Sequence, residues 1–336
     1  MMKISFIIPA YNASKTIVDC LDSIYNNVML NDDDFEIIVI DDCSTDNTIK
    51  IVQKYILSHN NIRLICQPKN NRQGAARNRG LIDAKGEYVM LVDSDDIVLS
   101  GIINALNFAL LNKIDILHCG VEIQRGNSSY GLVSLAPKNT VINGYDFCEE
   151  YHTIETCQAP WAYLYRNEFL KRVKIKFEEG RRLEDTDWVE KHLSMAEMIA
   201  SVDDVIYLYK ENPGSTMHTT RFDTCADWLH FSYRRLKFAE TIKDRMPQYA
   251  SRLIEAGKWG VIANTAFRRL TRFSPFYYLK IRQRCGNECM AYLGNIQWIG
   301  FTKIAINHPV MAFTSLFISC PLAKVGRFFI HAIRKY

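Results

Sequence analysis

The stretch Gly86-Glu87-Tyr88-Val89-Met90-Leu91-Val92-Asp93-Ser94-Asp95-Asp96 constrains the fold of this chain more than any other. A short apolar run rich in β-branched and aromatic residues, bounded by a glycine and an acidic cluster, has the signature of a buried strand. It runs directly into crowded carboxylates, which repel one another unless a cation neutralises them. Hard oxygen ligands suit magnesium or manganese. In an open parallel sheet, ligands sit beyond the carboxyl ends of the strands, where this cluster would lie. Two readings follow: a metal-diphosphate site, or a polar loop that caps the next helix.

A second junction of the same kind stands upstream. Glu36-Ile37-Ile38-Val39-Ile40 ends in Asp41-Asp42-Cys43-Ser44-Thr45-Asp46, and Ile4-Ser5-Phe6-Ile7-Ile8 ends in Pro9-Ala10-Tyr11-Asn12. Ser44 or Thr45 is expected to cap the following helix, with Asp46 in its first turn. Helical stretches are expected near residues 14–27, 46–58, 73–84 and 100–112, followed by the strand Ile114–His118. That alternation predicts βα units and a mostly parallel sheet. Gln124-Arg125-Gly126-Asn127-Ser128-Ser129 predicts an antiparallel excursion. From about residue 221 the pattern is helical.

At these junctions the chain resembles glycosyltransferase family 2, whose catalytic domain has the GT-A fold. The matching pieces are Pro9-Ala10-Tyr11-Asn12, Asp41 to Asp46, Ala75-Ala76-Arg77-Asn78-Arg79-Gly80, Asp93 to Asp96 and Glu184-Asp185. Cys43 and Arg72 stand where the family more often has glycine, so backbone freedom is in question there. The resemblance implies an α/β, Rossmann-like fold with a helical C-terminal extension. It divides the chain into a nucleotide-sugar half (1–120), an acceptor half carrying the catalytic base (121–220) and a basic helical region (221–336).

The resemblance also implies roles. Asp185 is the base that takes the acceptor hydroxyl proton in an inverting transfer. Glu184, Asp185 and Asp187 otherwise simply favour a helix N-terminus. Asp95 and Asp93 are metal ligands for Mn2+ or Mg2+, joined by His218. Pro9, Tyr11, Asp42, Arg77, Asp93 and Ser94 bind the UDP-sugar donor. Trp161 and Trp188 either wall an acceptor sugar or pack in the core. The acceptor implied is a glycan or a polyprenyl-diphosphate-linked sugar of surface polysaccharide assembly. Intact acidic motifs disfavour a non-catalytic binding relative. The missing G-x-G-x-x-G after the first strand disfavours a dehydrogenase.

Composition adds location. Ten cysteines are scattered without a disulfide framework, as in a reducing cytosol. The first residues form too short an apolar run for a signal peptide. Residues 264–336 carry eleven Lys or Arg against one acid, a net of +10, which leaves −6 for residues 1–263. Val310–Cys320 is too short to span a bilayer. Beyond it, Lys324, Arg327, His331, Arg334 and Lys335 face away from Val325, Phe328, Phe329, Ala332, Ile333 and Tyr336. This pattern predicts a helix lying on an anionic membrane at the cytoplasmic face, or docked on the protein's own core. Without a nucleic-acid-binding motif, no nucleic acid partner is expected.

Overall fold

The computed structural model describes residues 2–126, 128–132, 136–152, 159–211, 222–262, 281 and 283–295. His218 and the Val310–Tyr336 segment lie outside the described residues. The chain divides into two compact units, Met1–Ser215 and Thr216–Tyr336.

The first unit is an α/β layer structure. In chain order it runs β1 (Ile4–Ala10), α1 (Ile17–Asn27), β2 (Phe35–Asp41), α2 (Thr48–Ile56), β3 (Ile62–Cys66), α3 (Arg72–Asp83), β4 (Tyr88–Leu91), β5 (Ile97–Val98) and α4 (Ile102–Asn112). It continues through β6 (Ile116–Arg125), β7 (Ser128–Leu132), the one-turn α5 (Gly144–Asp146), β8 (Tyr163–Arg166), α6 (Asn167–Val173), α7 (Thr186–Met195) and β9 (Ile199–Lys210). These strands form one sheet in the order β3-β2-β1-β4-β8-β6-β9-β5, with β7 paired to β6.

Strands β3, β2, β1 and β4 are mutually parallel, as are β6 and β9. Strand β8 runs antiparallel between β4 and β6, and β5 runs antiparallel on β9. β1 and β2 are buried along their whole length, which explains why they read as continuous apolar runs and do not alternate. The expected antiparallel excursion is the β6–β7 hairpin, paired from Val121↔Leu132 to Arg125↔Ser128. The first two regions expected from sequence share this sheet, since β6 itself crosses residue 120.

Chain order reverses at β1: β2 and β3 follow on one side, β4 on the other. This is the switch point at which open α/β sheets leave a crevice. β1 pairs with β2 through Ala10↔Asp41, yet with β4 only from Ile4↔Tyr88 to Ile7↔Leu91. The three polar junctions therefore emerge together at one sheet edge. Helix α3 lies close on this sheet because Gly80 has no side chain; a Cβ there would stand 2.4 Å from Ile7 Cγ2 and 2.8 Å from Ile40 Cδ1.

In the second unit, α8 (Phe222–Ile242), α9 (Pro247–Ile262) and α10 (Asn287–Asn295) are helical, as the sequence predicts. Their apolar core includes Leu229, Leu236, Val261, Ile281 and Leu293. Arg284 pairs with the buried Asp227 at 2.9 Å. No helix among the described residues is long and apolar enough to cross a membrane. Among the described residues, the cysteines form no disulfide.

Candidate active site

The loop after β1 is tied to the loop after β2. Asn12, in the left-handed region at φ 52°, accepts from the backbone N–H groups of Thr45 (2.8 Å) and Asp46 (3.3 Å). Its own N–H donates to Ser44 Oγ (2.9 Å). Asparagine tolerates this conformation and hydrogen-bonds locally, so it suits the position. The sequence reading gave Asn12 no role of its own.

Helix α2 begins two residues later than expected, at Thr48. Asp46 therefore precedes the helix. Its Oδ1 accepts from the Thr48 N–H (2.9 Å) and its Oδ2 from the Ser14 N–H (3.1 Å). Ser44 does not cap the helix because it is engaged with Asn12.

Asp42 is buried, and its Oδ1 accepts from the N–H of Asn71 (2.8 Å) and from Gln67 Nε2 (3.2 Å). Burial raises its pKa, and the hydrogen bond from Asn71 opposes the rise. Pro9 is buried within β1, and Tyr11 just beyond it is half exposed.

Cys43 and Arg72 adopt φ values of 65° and 67°. These are the two positions where the sequence reading questioned backbone freedom, and both are left-handed. A β-carbon in that region costs about 1–2 kcal/mol. Cys43→Gly is therefore expected to raise stability by about 1 kcal/mol, a gain reduced somewhat by the greater freedom of the unfolded glycine. A melting temperature at or below that of the parent would show that the turn holds no strain.

The acidic loop after β4 separates its carboxylates by environment. Asp93, Ser94 and Asp95 are partly exposed, whereas Asp96 is fully buried. Asp96 accepts from the Tyr207 hydroxyl (2.8 Å) and from the Lys210 N–H (2.8 Å). Burial, then the neighbouring Asp93, push its pKa up to about 8. The same Tyr207 hydroxyl accepts from the Asp93 N–H (3.0 Å). Strand β9 thus holds the acidic loop from behind, and Asp96 faces away from the crevice.

Arg77, on α3, is buried between two carboxylates. One terminal nitrogen donates to Asp93 Oδ1 and the other to Glu184 Oε1, both at 2.7 Å. Burial lowers its pKa, but Asp93 and Glu184 outweigh that and hold it above arginine's ordinary value. Arg77 is therefore a strut between acids. Glu184 is buried, and desolvation lifts its pKa to about 7 against the pull of Arg77.

Asp185 is the N-cap of α7, its Oδ1 accepting from the Thr186 N–H (2.8 Å). Burial raises its pKa, and Arg77 opposes the rise. Leu183, just before the pair, sits at φ 61°, a strained conformation of the kind concentrated at functional sites. Asp187 is buried and pairs with Lys191 at 2.8 Å.

Both tryptophans pack in the core. Trp188 stacks on Phe177 at 4.2 Å, and its indole N–H donates to the Ile175 carbonyl. Trp161 stacks on Tyr207 at 4.7 Å and Tyr209 at 5.6 Å.

Among the described residues, no three His, Cys, Asp or Glu side chains converge to hold a metal. Asp93 and Asp95 are two hard oxygen donors on one loop. That set fits magnesium or manganese, which commonly take one or two carboxylates and complete their shell with substrate phosphate and water.

The sheet order, with its crevice at the β1/β4 split, defines an α/β fold of the GT-A class. A solved structure, Staphylococcus aureus TarS 1–349 in complex with UDP-GlcNAc, superimposes with a TM-score of 0.66 at 24% identity, covering 91% of this chain and 84% of that one. Residues 5–167 match the family described as Glycosyl transferase family 2. Glycosyltransferase GlyG of Streptococcus pneumoniae is 30% identical over 231 residues, 64% of this chain and 73% of its own length. The chain is a member of glycosyl transferase family 2.

Uncharacterized glycosyltransferase EpsJ of Bacillus subtilis is 32% identical over 217 residues, 63% of this chain and 62% of EpsJ. TarS, a poly(ribitol-phosphate) beta-N-acetylglucosaminyltransferase, is 33% identical over 217 residues, 62% of this chain but 35% of its own length.

Proposed function

We propose that this protein is an inverting, metal-dependent glycosyltransferase that moves a hexosyl or N-acetylhexosaminyl group from a UDP-sugar to a glycan or lipid-linked acceptor in surface polysaccharide synthesis. The observation that carries the reading is the Arg77 strut, which ties Asp93 and Glu184 together across 2.7 Å bonds. It sets the acidic loop after β4 beside the helix that Asp185 opens. The UDP-GlcNAc bound to TarS and the polymer acceptor in that protein's name support the donor and acceptor classes.

In this reading the acceptor hydroxyl attacks the anomeric carbon and Asp185 takes its proton. The bond to the diphosphate breaks, and UDP leaves with the electron pair. Asp95 and Asp93 would hold the divalent cation, which when bound would neutralise charge developing on the diphosphate. Asp42 accepts from the uracil ring while Tyr11 packs against it; Pro9 and Ser94 line the same pocket. His218 and the basic C-terminal region remain expectations from sequence: a further metal ligand and a membrane-surface helix at the cytoplasmic face.

A panel of UDP-sugars, screened with manganese for thermal stabilisation and hydrolysis, tests the donor. Asp95→Asn is expected to lose metal-dependent donor binding while keeping its fold. Equal UDP-sugar affinity with and without a chelator would remove the metal from the proposal.

A further inference from the structure

Helix α3 does more than carry Arg77. Gly74 and Asn78 lie four residues apart on one face of the helix, and with Asn71 just before it they touch the segment that leads into Asp185. The Asn71 carbonyl accepts from the Gly180 N–H at 2.9 Å. Gly74 lies beneath Glu178; a Cβ there would stand 2.2 Å from the Glu178 carbonyl oxygen and 3.2 Å from Glu184 Cγ.

Asn78 makes the most specific contact. Its Oδ1 accepts from the Phe177 N–H at 2.8 Å, and its Nδ2 donates to the Phe177 carbonyl at 2.9 Å. The same Nδ2 donates to Glu179 Oε1 at 2.9 Å. The carboxamide thus pairs with both backbone groups of one residue, as a neighbouring strand would. Asn78 is buried, so no water replaces these bonds at low cost. The Arg77 guanidinium lies 5.4 Å over the Phe177 ring, adding a second hold on the same residue.

The geometry points to Asn78 as a positioning residue for the transfer step: with Gly74 it clamps residues 177–184 to α3, and so sets where Asp185 stands against the acidic loop after β4. The inference rests on the proposed role of Asp185 as base. Aspartate at 78 would face the Phe177 carbonyl and the Glu179 carboxylate without a donor. Alanine would leave both Phe177 groups unpaired. Alanine at 74 would push Glu178 away from the other side.

The test compares Asn78→Asp, Asn78→Ala and Gly74→Ala for affinity to UDP with manganese and for turnover of the UDP-sugar that the panel selects. A displacement of about 1 Å at a reacting group lowers rate on the order of 100-fold. The expected result is therefore a fall in kcat of that order with UDP affinity unchanged, the same in the asparagine and glycine variants. Should Asn78→Ala fail to fold, Asn78→Asp, which keeps an acceptor for the Phe177 N–H, is judged by the same criterion.

Unchanged kcat overturns the clamp. So does UDP affinity lost in step with kcat, which would make the contact general support for the fold. Full turnover in Asp185→Asn, beside a kcat loss in the Asn78 variants, would retire Asp185 as base and leave the clamp standing.

Discussion

Asp185→Asn should leave donor affinity nearly intact and lower sugar transfer on the order of 100- to 10,000-fold, the usual contribution of a positioned general base. Asparagine is isosteric and an equally good N-cap, so the bond from the Thr186 N–H persists and α7 keeps its start. What disappears is basicity. Burial raises the pKa of Asp185, which suits a group that must accept a proton near neutral pH. Its neighbours are occupied differently: Glu184 faces Arg77, and Asp187 faces Lys191. The acid limb of the kcat profile should accordingly lie above the ordinary aspartate value of 3.8. Steady-state kinetics with parallel titration of UDP checks both halves. Turnover like that of the parent would pass the role to Glu184 or Asp187, or end the inverting assignment.

Arg77→Met is the variant expected to cost most in stability, about 3–5 kcal/mol, because it leaves two buried or half-buried carboxylates facing each other without a cation. Both terminal nitrogens of Arg77 are bonded to acids, and its ring contact with Phe177 would go as well. Without the guanidinium, the Glu184 pKa, already lifted to about 7 by burial, should climb further, so that the carboxyl enters the folded state protonated. Arg77→Lys keeps the charge but loses the fork that reaches two partners at once, and should recover only part of the loss. Arg77→Met combined with Glu184→Gln should be more stable than Arg77→Met alone, since it removes one of the stranded charges. Urea denaturation of the four proteins measures this. A loss below about 1 kcal/mol in Arg77→Met, the range of an exposed pair, would show that the strut is solvated and contributes little.

Much of the first unit was legible because its signals are local. Strands β1, β2 and β4 are continuous apolar runs ending in polar residues, and the parallel order β2-β1-β4 places those ends together. Glu184-Asp185 reads as a helix start, and Asp185 caps α7. Cys43 and Arg72 were legible as backbone problems, and both are left-handed.

The unread parts depend on distant partners. Strand β3 went unread because Arg63 interrupts its apolar residues and leaves a run of only three, Leu64 to Cys66, on a half-buried strand at the sheet edge. The bond between Tyr207 and Asp96 joins residues 111 apart, and nothing near Tyr207 in the sequence marks it. The acidic cluster read as one site, yet the fold turns Asp96 inward. Arg77 read as a donor contact, and nothing in the sequence shows its partners in the fold, acids on the loop after β4 and on the segment before α7. Asn78 stood in view inside a motif, but a carboxamide shows its purpose only when Phe177 arrives.

Pro9 has a consequence that reaches the mouth of the crevice. The Ile7 carbonyl accepts from the Val92 N–H on the β4 side, and strand groups alternate sides with a period of two. The position of a backbone hydrogen at residue 9 therefore faces the same flank, and proline has none to offer. Were β4 to continue straight past Val92, its next carbonyl on that flank would meet a ring instead of a donor. Zipping the two strands further thus gains only the bond to the Pro9 carbonyl, one of the two a residue there would make, and the chain turns outward as the Asp93 loop. Sliding β4 along β1 by one repeat would forfeit a bond for the same reason. A single absent hydrogen thus works with the bonds from β9 to keep the cleft ajar.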